Sequence, residues 1–271
     1  MKILILIGWN MKKMNPENNL SHINLLSTPG IVALSTCRGC VVDGDYYSGF
    51  NACHYTGDDM THVRACREGL CEMLGIDYDS LIVPRQTHSL NVAVIRELPV
   101  KADDIENVDA LVTTLTDVAI AVNTADCVPI VLVDEVAHVI AVVHSGWKGT
   151  VGRIVALTVK KMIECGAEVG DIKAVMGPCI CGDCFEVGPE VVEQFELNGF
   201  DNKHVILRNY GERHHINLPQ ACRQALLEVG VRDENISLPK HCSRCNPNTF
   251  FSARRLGINS GRTLTLALQK R

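Results

Sequence analysis

The chain has 271 residues, 46% of them hydrophobic and 21% charged, which is typical of a globular protein long enough to bury a sizeable core. Its formal net charge of -5 and its pI near 6.1 provide no basic surface for nucleic acid or an anionic membrane, so neither is expected as a partner. The apolar run at residues 3–8 is too short for a signal peptide or a membrane span, which favours a cytoplasmic protein with reduced thiols.

No internal repeat or low-complexity linker divides the sequence, and we therefore expect a single domain over residues 1–271. After a first predicted strand at residues 2–7, residues 10–29 are polar and irregular. The remaining β-branched runs predict strands at 31–36, 81–83, 92–95, 110–113, 118–122, 128–133, 138–143, 172–176, 205–208 and 264–268.

Four amphipathic stretches of the sequence predict helices. The first covers residues 60–74, begins after Asp58 or Asp59 and ends at Gly75. The others cover residues 150–165, 189–198 and 217–229. Strands and helices in this mixed order predict an α/β or α+β fold with mixed β-sheets.

The segment 119–150 contains two apolar runs, 128–133 and 138–143, joined by four residues. Such an arrangement predicts a β-hairpin. If Val133 pairs with His138, Cys127 lies opposite His144, and directly opposed residues have Cβ atoms about 4.5–5.5 Å apart. A thiolate and an imidazole at that distance can share one metal ion or one proton.

A third ligand is predicted in the polar loop RQTHSLN, which contains His88. Three Cys/His ligands leave a fourth position open, which is the arrangement of a catalytic zinc site. Zinc in such a site lowers the pKa of bound water to about 7. The alternative is that His88 and His144 are loop histidines bonded to the backbone and that Cys127 is a packed thiol.

The sequence HSGWKGT at residues 144–150 precedes the predicted helix at 150–165. Gly146 and Gly149 allow close approach of the backbone, the start of a helix offers free N–H groups, and Lys148 adds positive charge. These features favour binding of an anion such as phosphate. A glycine-rich turn between strand and helix, with Trp147 as a packing anchor, is the alternative.

Three Cys-x-x-Cys pairs occur among the thirteen cysteines of the chain. Two such pairs can supply the ligands of a Cys₄ zinc site, but they lie in separate parts of the sequence, and reduced loop thiols are the alternative. The pairs are Cys37/Cys40, Cys181/Cys184 and Cys242/Cys245.

The sequence FFSARRLGINSGR near the end of the chain brings together Arg254, Arg255 and Arg262. Arginine recognises phosphate or carboxylate through two parallel hydrogen bonds, so this segment is a candidate anion site, with an exposed basic loop as the alternative. Asp126 beside Cys127 is predicted to orient a ligand or bind substrate, unless it only forms a turn.

Ordered motifs between residues 31 and 268 resemble the laccase-domain (YfiH-like) family, whose members are also described as multicopper polyphenol oxidoreductases and as purine nucleoside phosphorylases. The resemblance implies a four-layer α/β/β/α fold with mixed β-sheets. The motifs that carry it are SGFN and GDD (48–51 and 57–59), RQTH (85–88), DALVT (109–113), TADCVPI (124–130), HSGWKG (144–149), GPCICGDCFEVG (177–188), and CSRCNPNTFFSARR with SGR (242–255 and 260–262).

The resemblance also implies a zinc ion, with His88, Cys127 and His144 as its ligands and as catalytic residues. Many family members have QVHG and HAGWRG where this chain has QTHS and HSGWKG, so Lys148 keeps the charge but not a bidentate fork. The matching motifs imply substrate-binding roles for Ser48, Asn51, Arg67, Gln86, Asp126, Lys148 and Arg255.

The activities implied by the resemblance are phosphorolysis of adenosine, inosine, guanosine and methylthioadenosine, and deamination of adenosine. Purine nucleosides and phosphate are the implied substrates, and a monomer or small homo-oligomer is expected. One alternative is a copper polyphenol oxidase, which we discount because O₂ reduction ordinarily takes several coppers and His-x-His pairs are lacking. The other is a hydrolase or amidase that edits peptidoglycan precursors, with Cys127 as nucleophile and His144 as base.

Overall fold

The computed structural model describes residues 20–201, 203–207 and 213–271, so the predicted strand at 2–7 lies outside the described residues. In chain order the strands are β1 (His22–Thr28), β2 (Ile31–Thr36), β3 (Leu81–Ile82), β4 (Val92–Ile95), β5 (Ala110–Thr113), β6 (Ala119–Thr124), β7 (Val128–Asp134), β8 (Val139–Ser145), β9 (Lys173–Met176), β10 (Glu186–Val187), β11 (Ile206–Leu207), β12 (His214–Ile216), β13 (Ile236–Ser237) and β14 (Thr263–Gln269).

The α-helices of the described part are mostly amphipathic. None of them is both long enough and apolar enough to cross a membrane. They are α1 (Met60–Leu74), α2 (Trp147–Val151), α3 (Ile154–Glu164), α4 (Pro189–Leu197), α5 (Leu218–Glu228) and α6 (Ala253–Leu256).

Two mixed sheets form the centre of the fold. The five-stranded sheet has the order β1-β2-β14-β6-β3, and the six-stranded sheet has the order β13-β9-β7-β8-β5-β4. A small third sheet has the order β10-β12-β11. Within the six-stranded sheet the two outer pairs, β4 with β5 and β13 with β9, are parallel, whereas the inner pairs β5 with β8, β8 with β7 and β7 with β9 are antiparallel.

Successive side chains of the central strands alternate between two hydrophobic cores, one on each face of the sheet. In β7, Ile130 and Leu132 face the core beneath the helices, whereas Val131 and Val133 face a core shared with the five-stranded sheet. Successive side chains of a strand point to opposite faces, so a fully buried strand serves two cores at once.

The helices cover the outer faces of the two sheets. Apolar residues of α3, α4 and α5 share a core with the six-stranded sheet, and residues of α1 share another with β6 and β14. The order of layers is therefore α/β/β/α, and the expected α/β fold with mixed sheets is confirmed.

Helix α1 begins and ends at the predicted residues. Asp59 is its N-cap and accepts a hydrogen bond from the backbone N–H of Thr61 at 2.8 Å. Gly75 ends it in the left-handed region with φ of 63°. The local cap residues were sufficient to define this element.

The β7–β8 hairpin forms, but its register differs by two residues from the predicted one. Val133 pairs with Ile140 instead of His138, so Cys127 is not directly opposite His144. Because the shift is an even number of residues, Cys127 and His144 still lie on the same face, as diagonal neighbours. The predicted pairing was wrong, whereas the predicted proximity was right.

The turn of the hairpin explains this register. The carboxylate of Asp134 accepts hydrogen bonds from the backbone N–H groups of Val136 and Ala137, both at 2.9 Å. His138 has φ of 54° and completes the turn, so it does not open β8 as predicted. A side-chain cap of this kind favours a turn over residues 135–138.

The predicted helix at 150–165 is in fact two helices, α2 and α3, separated by Gly152 and Arg153. Arg153 has φ of 59°, and its guanidinium carbon lies 3.7 Å from the ring centroid of Phe200. A Cβ on Gly152 would lie 2.6 Å from a methyl group of Leu90. The break depends on contacts with distant parts of the chain, which helical periodicity does not show.

Part of the segment predicted as irregular, 10–29, is strand β1. Among the strands that the structure describes, β1 pairs with β2 alone, at the edge of the five-stranded sheet, and its register shifts between Asn24 and Leu26. The bulge places Leu25 and Leu26 against the inter-sheet core and breaks the alternation by which a strand is recognised. The other predicted elements occur within two residues of their predicted bounds, as far as the described residues extend.

Truncation of a side chain in the inter-sheet core should destabilise the protein strongly. Ile140 of β8 is 0% exposed, and Ile140→Ala should lower the free energy of unfolding by about 2–5 kcal/mol because it leaves a cavity between two sheets. Val136 in the adjacent turn is 78% exposed, and Val136→Ala should change the free energy of unfolding by about 0.5 kcal/mol or less. Denaturant unfolding of both variants measures the difference; equal losses would contradict this placement of the core.

Candidate metal and substrate site

Three side chains with metal-ligating atoms, His88, Cys127 and His144, meet at one end of the β7–β8 hairpin. Their ligand atoms all lie within 4.8 Å of one another. The Cys127 sulfur is 3.8 Å from His88 Nε2, and the two imidazole centroids are 4.8 Å apart. One thiolate and two imidazoles around one point suit zinc or copper and leave a fourth position open.

A buried carboxylate, that of Asp109, orients His144. Asp109 directly precedes β5 and is 0% exposed, and its Oδ1 lies 2.7 Å from His144 Nδ1. An ionised carboxylate only accepts hydrogen bonds, so Nδ1 donates to Asp109 and Nε2 is the ring nitrogen left to face Cys127 or a metal ion. Histidine ligands of metals commonly have such an outer carboxylate partner, which fixes the tautomer and the ring orientation.

The same carboxylate holds the loop that carries His88. The backbone N–H groups of Thr87, His88 and Ser89 donate to Asp109 at 3.2, 3.1 and 2.7 Å, and the Ser89 hydroxyl donates at 2.7 Å. His88 has φ of 62°, a left-handed conformation that is uncommon for residues other than glycine. Three convergent N–H bonds to one carboxylate maintain this conformation.

The electrostatics of the cluster favour an ionised thiol. Burial raises the pKa of Cys127, but contacts with His144 and then His88 outweigh burial and lower it to about 6. Burial lowers the pKa of His144, but Cys127 and Asp109 together raise it to about 9. At neutral pH Cys127 is therefore available as a thiolate, the form that binds metals and acts as a nucleophile.

The Asp109 carboxyl remains ionised despite its burial. Desolvation raises its pKa, but the hydrogen bond and charge of His144, together with bonds from Ser89, lower it to about 2. The carboxylate thus stays negative over the physiological range and continues to hold both the imidazole and the loop.

Glycine is required at residue 146 because the backbone passes directly over the cluster. A Cβ there would lie 2.8 Å from the His88 ring and 3.1 Å from the Cys127 sulfur. The first distance is shorter than real Cβ contacts, so a larger residue would displace the histidine. This explains the glycine in the HSGWKG motif without reference to a phosphate.

A pocket of about 310 Å³ adjoins the cluster, with His88 and Cys127 in its wall. This volume is at the lower end of the range for small-molecule sites. Lys148 supplies positive charge, and its ammonium lies 5.7 Å from the Trp147 ring. The apolar part of the lining consists of Trp147, Ile180, Phe185 and Leu218.

Asp126, a predicted substrate residue, also lies in the pocket wall, but its carboxylate is engaged by the protein. Oδ1 accepts from the Ser243 hydroxyl at 2.6 Å and Oδ2 from the backbone N–H of Arg254 at 2.7 Å. Its own carbonyl accepts from the N–H of Ile180 at 2.9 Å. Asp126 therefore joins two loops to the start of β7.

The other predicted substrate residues lie outside the pocket lining, and their side chains bond to the protein. Gln86 bonds to Asn123 and Tyr55, and Arg67 bonds to the carbonyl of Ala52 and to His54. The remaining contacts are those of Ser48 with Arg38 and Val42, Asn51 with Asp58, Cys53 and Arg262, and Arg255 with the carbonyl of Arg244. The structure does not bring these five side chains to the metal-ligating cluster.

Asp109 is the residue that sequence reasoning missed. The only available signal was a charged residue immediately before a fully buried strand, within the DALVT motif. Such a carboxylate needs hydrogen-bond donors inside the protein, which marks it as part of a site or a turn.

Comparison with known proteins places this arrangement in a family. The model of the family described as multi-copper polyphenol oxidoreductase laccase matches residues 32–270. The chain belongs to this laccase family. Two solved structures are similar to this member. The Bacillus licheniformis hypothetical protein YfiH has a TM-score of 0.86 and 25% identity, and the match covers 94% of this chain and 100% of that one. YlmD from Geobacillus stearothermophilus has a TM-score of 0.80 and 25% identity, and the match covers 92% of this chain and 100% of that one.

Relatives of this laccase-family chain carry names of nucleoside enzymes. Adenosine deaminase RL5 from an unknown prokaryotic organism is 52% identical over 246 residues, covering 88% of this chain and 94% of that protein. A purine nucleoside phosphorylase of Bacteroides thetaiotaomicron is 36% identical over 262 residues, covering 94% and 93%. A purine nucleoside phosphorylase of Deinococcus radiodurans is 37% identical over 242 residues, covering 88% and 90%.

Replacing the shared carboxylate should weaken metal binding by this laccase-family chain. In Asp109→Asn the amide NH₂ opposes donors on the His88 loop or on His144, so zinc affinity at the three-ligand cluster should fall about 10- to 100-fold. Asp103→Asn, at an exposed position, is the matched control and should bind normally. Competition with a chromogenic chelator measures both affinities, and an unchanged affinity in Asp109→Asn would remove the orienting role from this carboxylate.

Proposed function

We propose that this laccase-family chain is a zinc-dependent purine nucleoside enzyme. It cleaves adenosine, inosine, guanosine and methylthioadenosine with phosphate, and it deaminates adenosine. The observation that carries the proposal is an open cluster of one thiolate and two imidazoles in the wall of a pocket large enough for a small ligand. The names of relatives that align over most of the chain support the substrate class.

The donor set of the cluster fits zinc. His144 presents Nε2, because Nδ1 is bonded to Asp109, and Cys127 is ionised at neutral pH. When bound, zinc supplies a water nucleophile near neutral pH, which is the chemistry needed to replace the amino group of adenosine by oxygen.

The pocket lining offers apolar and aromatic surface of the kind that suits a purine. Trp147 and Phe185 contribute aromatic rings, and Ile180 and Leu218 contribute aliphatic side chains. Aromatic rings stack on flat heterocycles and fix their orientation without reading one particular base. This is consistent with several purine nucleosides as substrates.

Phosphorolysis requires an anion site in addition to the purine pocket. Lys148 lies in the pocket lining, and the guanidinium carbon of Arg254 lies 5.0 Å from the centroid of Phe185, which also lines the pocket. Both cations are exposed, and they lie on segments that are far apart in the sequence. They are our candidates for binding phosphate. Arg255, which the sequence also predicts to bind substrate, donates its Nε–H to the carbonyl of Arg244 at 3.3 Å.

The family description favours a copper polyphenol oxidase as the second candidate. Multicopper oxidation requires several coppers, mostly held by histidines. Within the described residues, two clusters of three or more potential ligands occur, and together they contain only His88 and His144 as histidines. Two histidines are too few for a centre of several coppers, so the ligands present in these clusters favour the nucleoside enzyme.

The state of the thiols supports a reducing compartment. All thirteen cysteines are free. We therefore propose a cytoplasmic location, and we propose a single catalytic domain because one family model spans residues 32–270.

Purified protein should convert adenosine to inosine in buffer without phosphate, and should release adenine from adenosine when phosphate is added. Cys127→Ser should abolish both reactions and should lower the zinc content by one equivalent per chain, because it removes a ligand. Cys40→Ser changes an exposed thiol outside the described clusters and should leave both reactions intact. Chromatography of the products and elemental analysis provide the measurements.

Each outcome separates the candidates. No turnover of any nucleoside by zinc-loaded wild-type protein would refute the proposal. Copper-dependent oxygen uptake on phenols would support the oxidase instead. Loss of activity in Cys127→Ser with the zinc content unchanged would indicate that Cys127 acts as a nucleophile rather than a ligand.

The two nucleoside reactions should respond differently to loss of the pocket cation. Lys148→Ala should raise the KM for phosphate at least about 10-fold in phosphorolysis, because a charge-assisted contact is worth about 1.5–3 kcal/mol. The KM for adenosine in phosphate-free deamination should change little. Lys160→Ala, at an exposed position on α3, is the control. An equal effect of Lys148→Ala on both reactions would argue against a phosphate-specific role.

A further inference from the structure

Two of the three Cys-x-x-Cys pairs meet in the folded protein, and the proposed reactions do not use them. The sulfur atoms of Cys181, Cys184, Cys242 and Cys245 all lie within 4.8 Å of one another. Those of Cys184 and Cys245, one from each pair, are 3.5 Å apart. We refer to these four residues as the tetrathiol cluster.

We propose that the tetrathiol cluster binds a second, structural zinc ion. Zinc prefers four ligands in a tetrahedron with Zn–S bonds of about 2.3 Å, which places the sulfurs about 3.8 Å apart. The observed spacing, 3.5 Å for one pair of sulfurs and at most 4.8 Å for the others, is close to that value. Four protein ligands leave no open position, in contrast to the cluster of His88, Cys127 and His144.

Backbone pairing brings the two turns together independently of any metal. Cys179 and Cys242 form an isolated parallel β-bridge. The N–H of Cys179 donates to the carbonyl of His241 at 3.3 Å, and the N–H of Ser243 donates to the carbonyl of Cys179 at 2.9 Å. The ligand atoms are therefore preorganised, which reduces the conformational entropy lost on binding a metal.

The two turns have the same local hydrogen bonding. In each, the carbonyl of the first cysteine accepts a hydrogen bond from the backbone N–H four residues further on: from Phe185 to Cys181 at 3.0 Å, and from Asn246 to Cys242 at 3.1 Å. The N–H of Cys181 also donates to the Cys242 sulfur at 3.3 Å, which links the turns. Backbone donors directed at sulfur stabilise thiolates, the form in which cysteine binds zinc.

A nearby cation offsets the charge of such a site. Four thiolates and one Zn²⁺ carry a net charge of two negative units. Arg244 lies between Cys242 and Cys245 in the sequence, and its guanidinium interacts electrostatically with Cys184 of the other turn and with these two cysteines. It reduces the electrostatic cost of holding four thiolates together.

Abundance of cysteine does not by itself explain the cluster. Cys37 and Cys40, the third pair, do not join it; Cys37 is buried and Cys40 is exposed. Iron also accepts four thiolates in a tetrahedron, but zinc ranks above ferrous iron in affinity for such ligands. We therefore assign zinc, and iron or a disulfide become outcomes of the test.

The first turn of the tetrathiol cluster lies on a segment that lines the pocket, and the second turn is bonded to the pocket wall through Asp126. Ile180 and Phe185 flank the first turn and line the pocket, and Ser243 of the second turn donates to Asp126. A metal that ties the turns together would hold this wall in place. This role is structural, and it does not depend on which reaction the pocket performs.

Zinc counting on the full chain tests the proposal. Wild-type protein purified under reducing conditions should contain two zinc equivalents per chain, and Cys245→Ser and Cys127→Ser should each contain one. The double variant should contain none. Cys40→Ser, another exposed cysteine of a Cys-x-x-Cys pair, is the matched control and should retain two.

The same counts separate this proposal from the proposed function. One equivalent in wild-type protein that disappears in Cys127→Ser would overturn the second site and leave the first intact. Two equivalents in a wild-type protein that lacks nucleoside activity would support the second zinc site and refute the proposed function. A disulfide between the turns in place of zinc, or one equivalent of iron, would overturn the assignment.

A second measurement covers the case in which Cys245→Ser does not fold. Cobalt substituted for zinc in Cys127→Ser should show the intense thiolate-to-cobalt absorption and the visible bands of a tetrahedral four-thiolate site. The variant retains the tetrathiol cluster and lacks the thiol of the other site, so the signal has one source. Absence of these bands in a folded, cobalt-treated sample would contradict the proposal.

Discussion

The fold is built so that one buried carboxylate can control two separate parts of the site. Asp109 accepts five hydrogen bonds, four from the loop of residues 87–89 and one from His144. An uncompensated buried charge is costly, so these donors must stay in place for the protein to remain stable. The carboxylate lies at the start of β5, which pairs with β8, and its own carbonyl accepts from the N–H of His144. Side-chain orientation and strand pairing therefore depend on the same residue.

This arrangement uses a rigid sheet to position residues at its edge. Strands β7 and β8 are buried on both faces, one against helices and one against the five-stranded sheet. Cys127 directly precedes β7 and His144 is the next-to-last residue of β8, so both are attached to strands that serve two cores. His88 lies on a loop further from any strand, and Asp109 restrains that loop. Rigid elements with one restrained loop are what a site with a defined ligand geometry needs.

Sequence patterns predicted the mixed sheets and most elements because buried strands and capped helices are encoded locally, whereas the four-layer order was expected only from the family resemblance. The proximity of Cys127 to His144 was predicted for the same reason: a register error of two residues preserves the face of a strand. The break between α2 and α3 was not predictable, because it depends on Leu90 and Phe200, which are remote in sequence. Asp109 was missed because its partners are assembled only by the fold. Convergence of two Cys-x-x-Cys turns is likewise a property of tertiary structure.

Asp126 shows how the open cluster and the tetrathiol cluster are connected. It immediately precedes Cys127, and its carboxylate bonds to Ser243, which immediately follows Cys242. Its second oxygen accepts from the backbone N–H of Arg254, whose side chain packs over Phe185 in the pocket. The pocket wall, the candidate phosphate cation and the tetrathiol cluster thus share one buried carboxylate. Each of its oxygens accepts one of these hydrogen bonds, so the carboxylate fixes the position of the pocket wall relative to both of these segments.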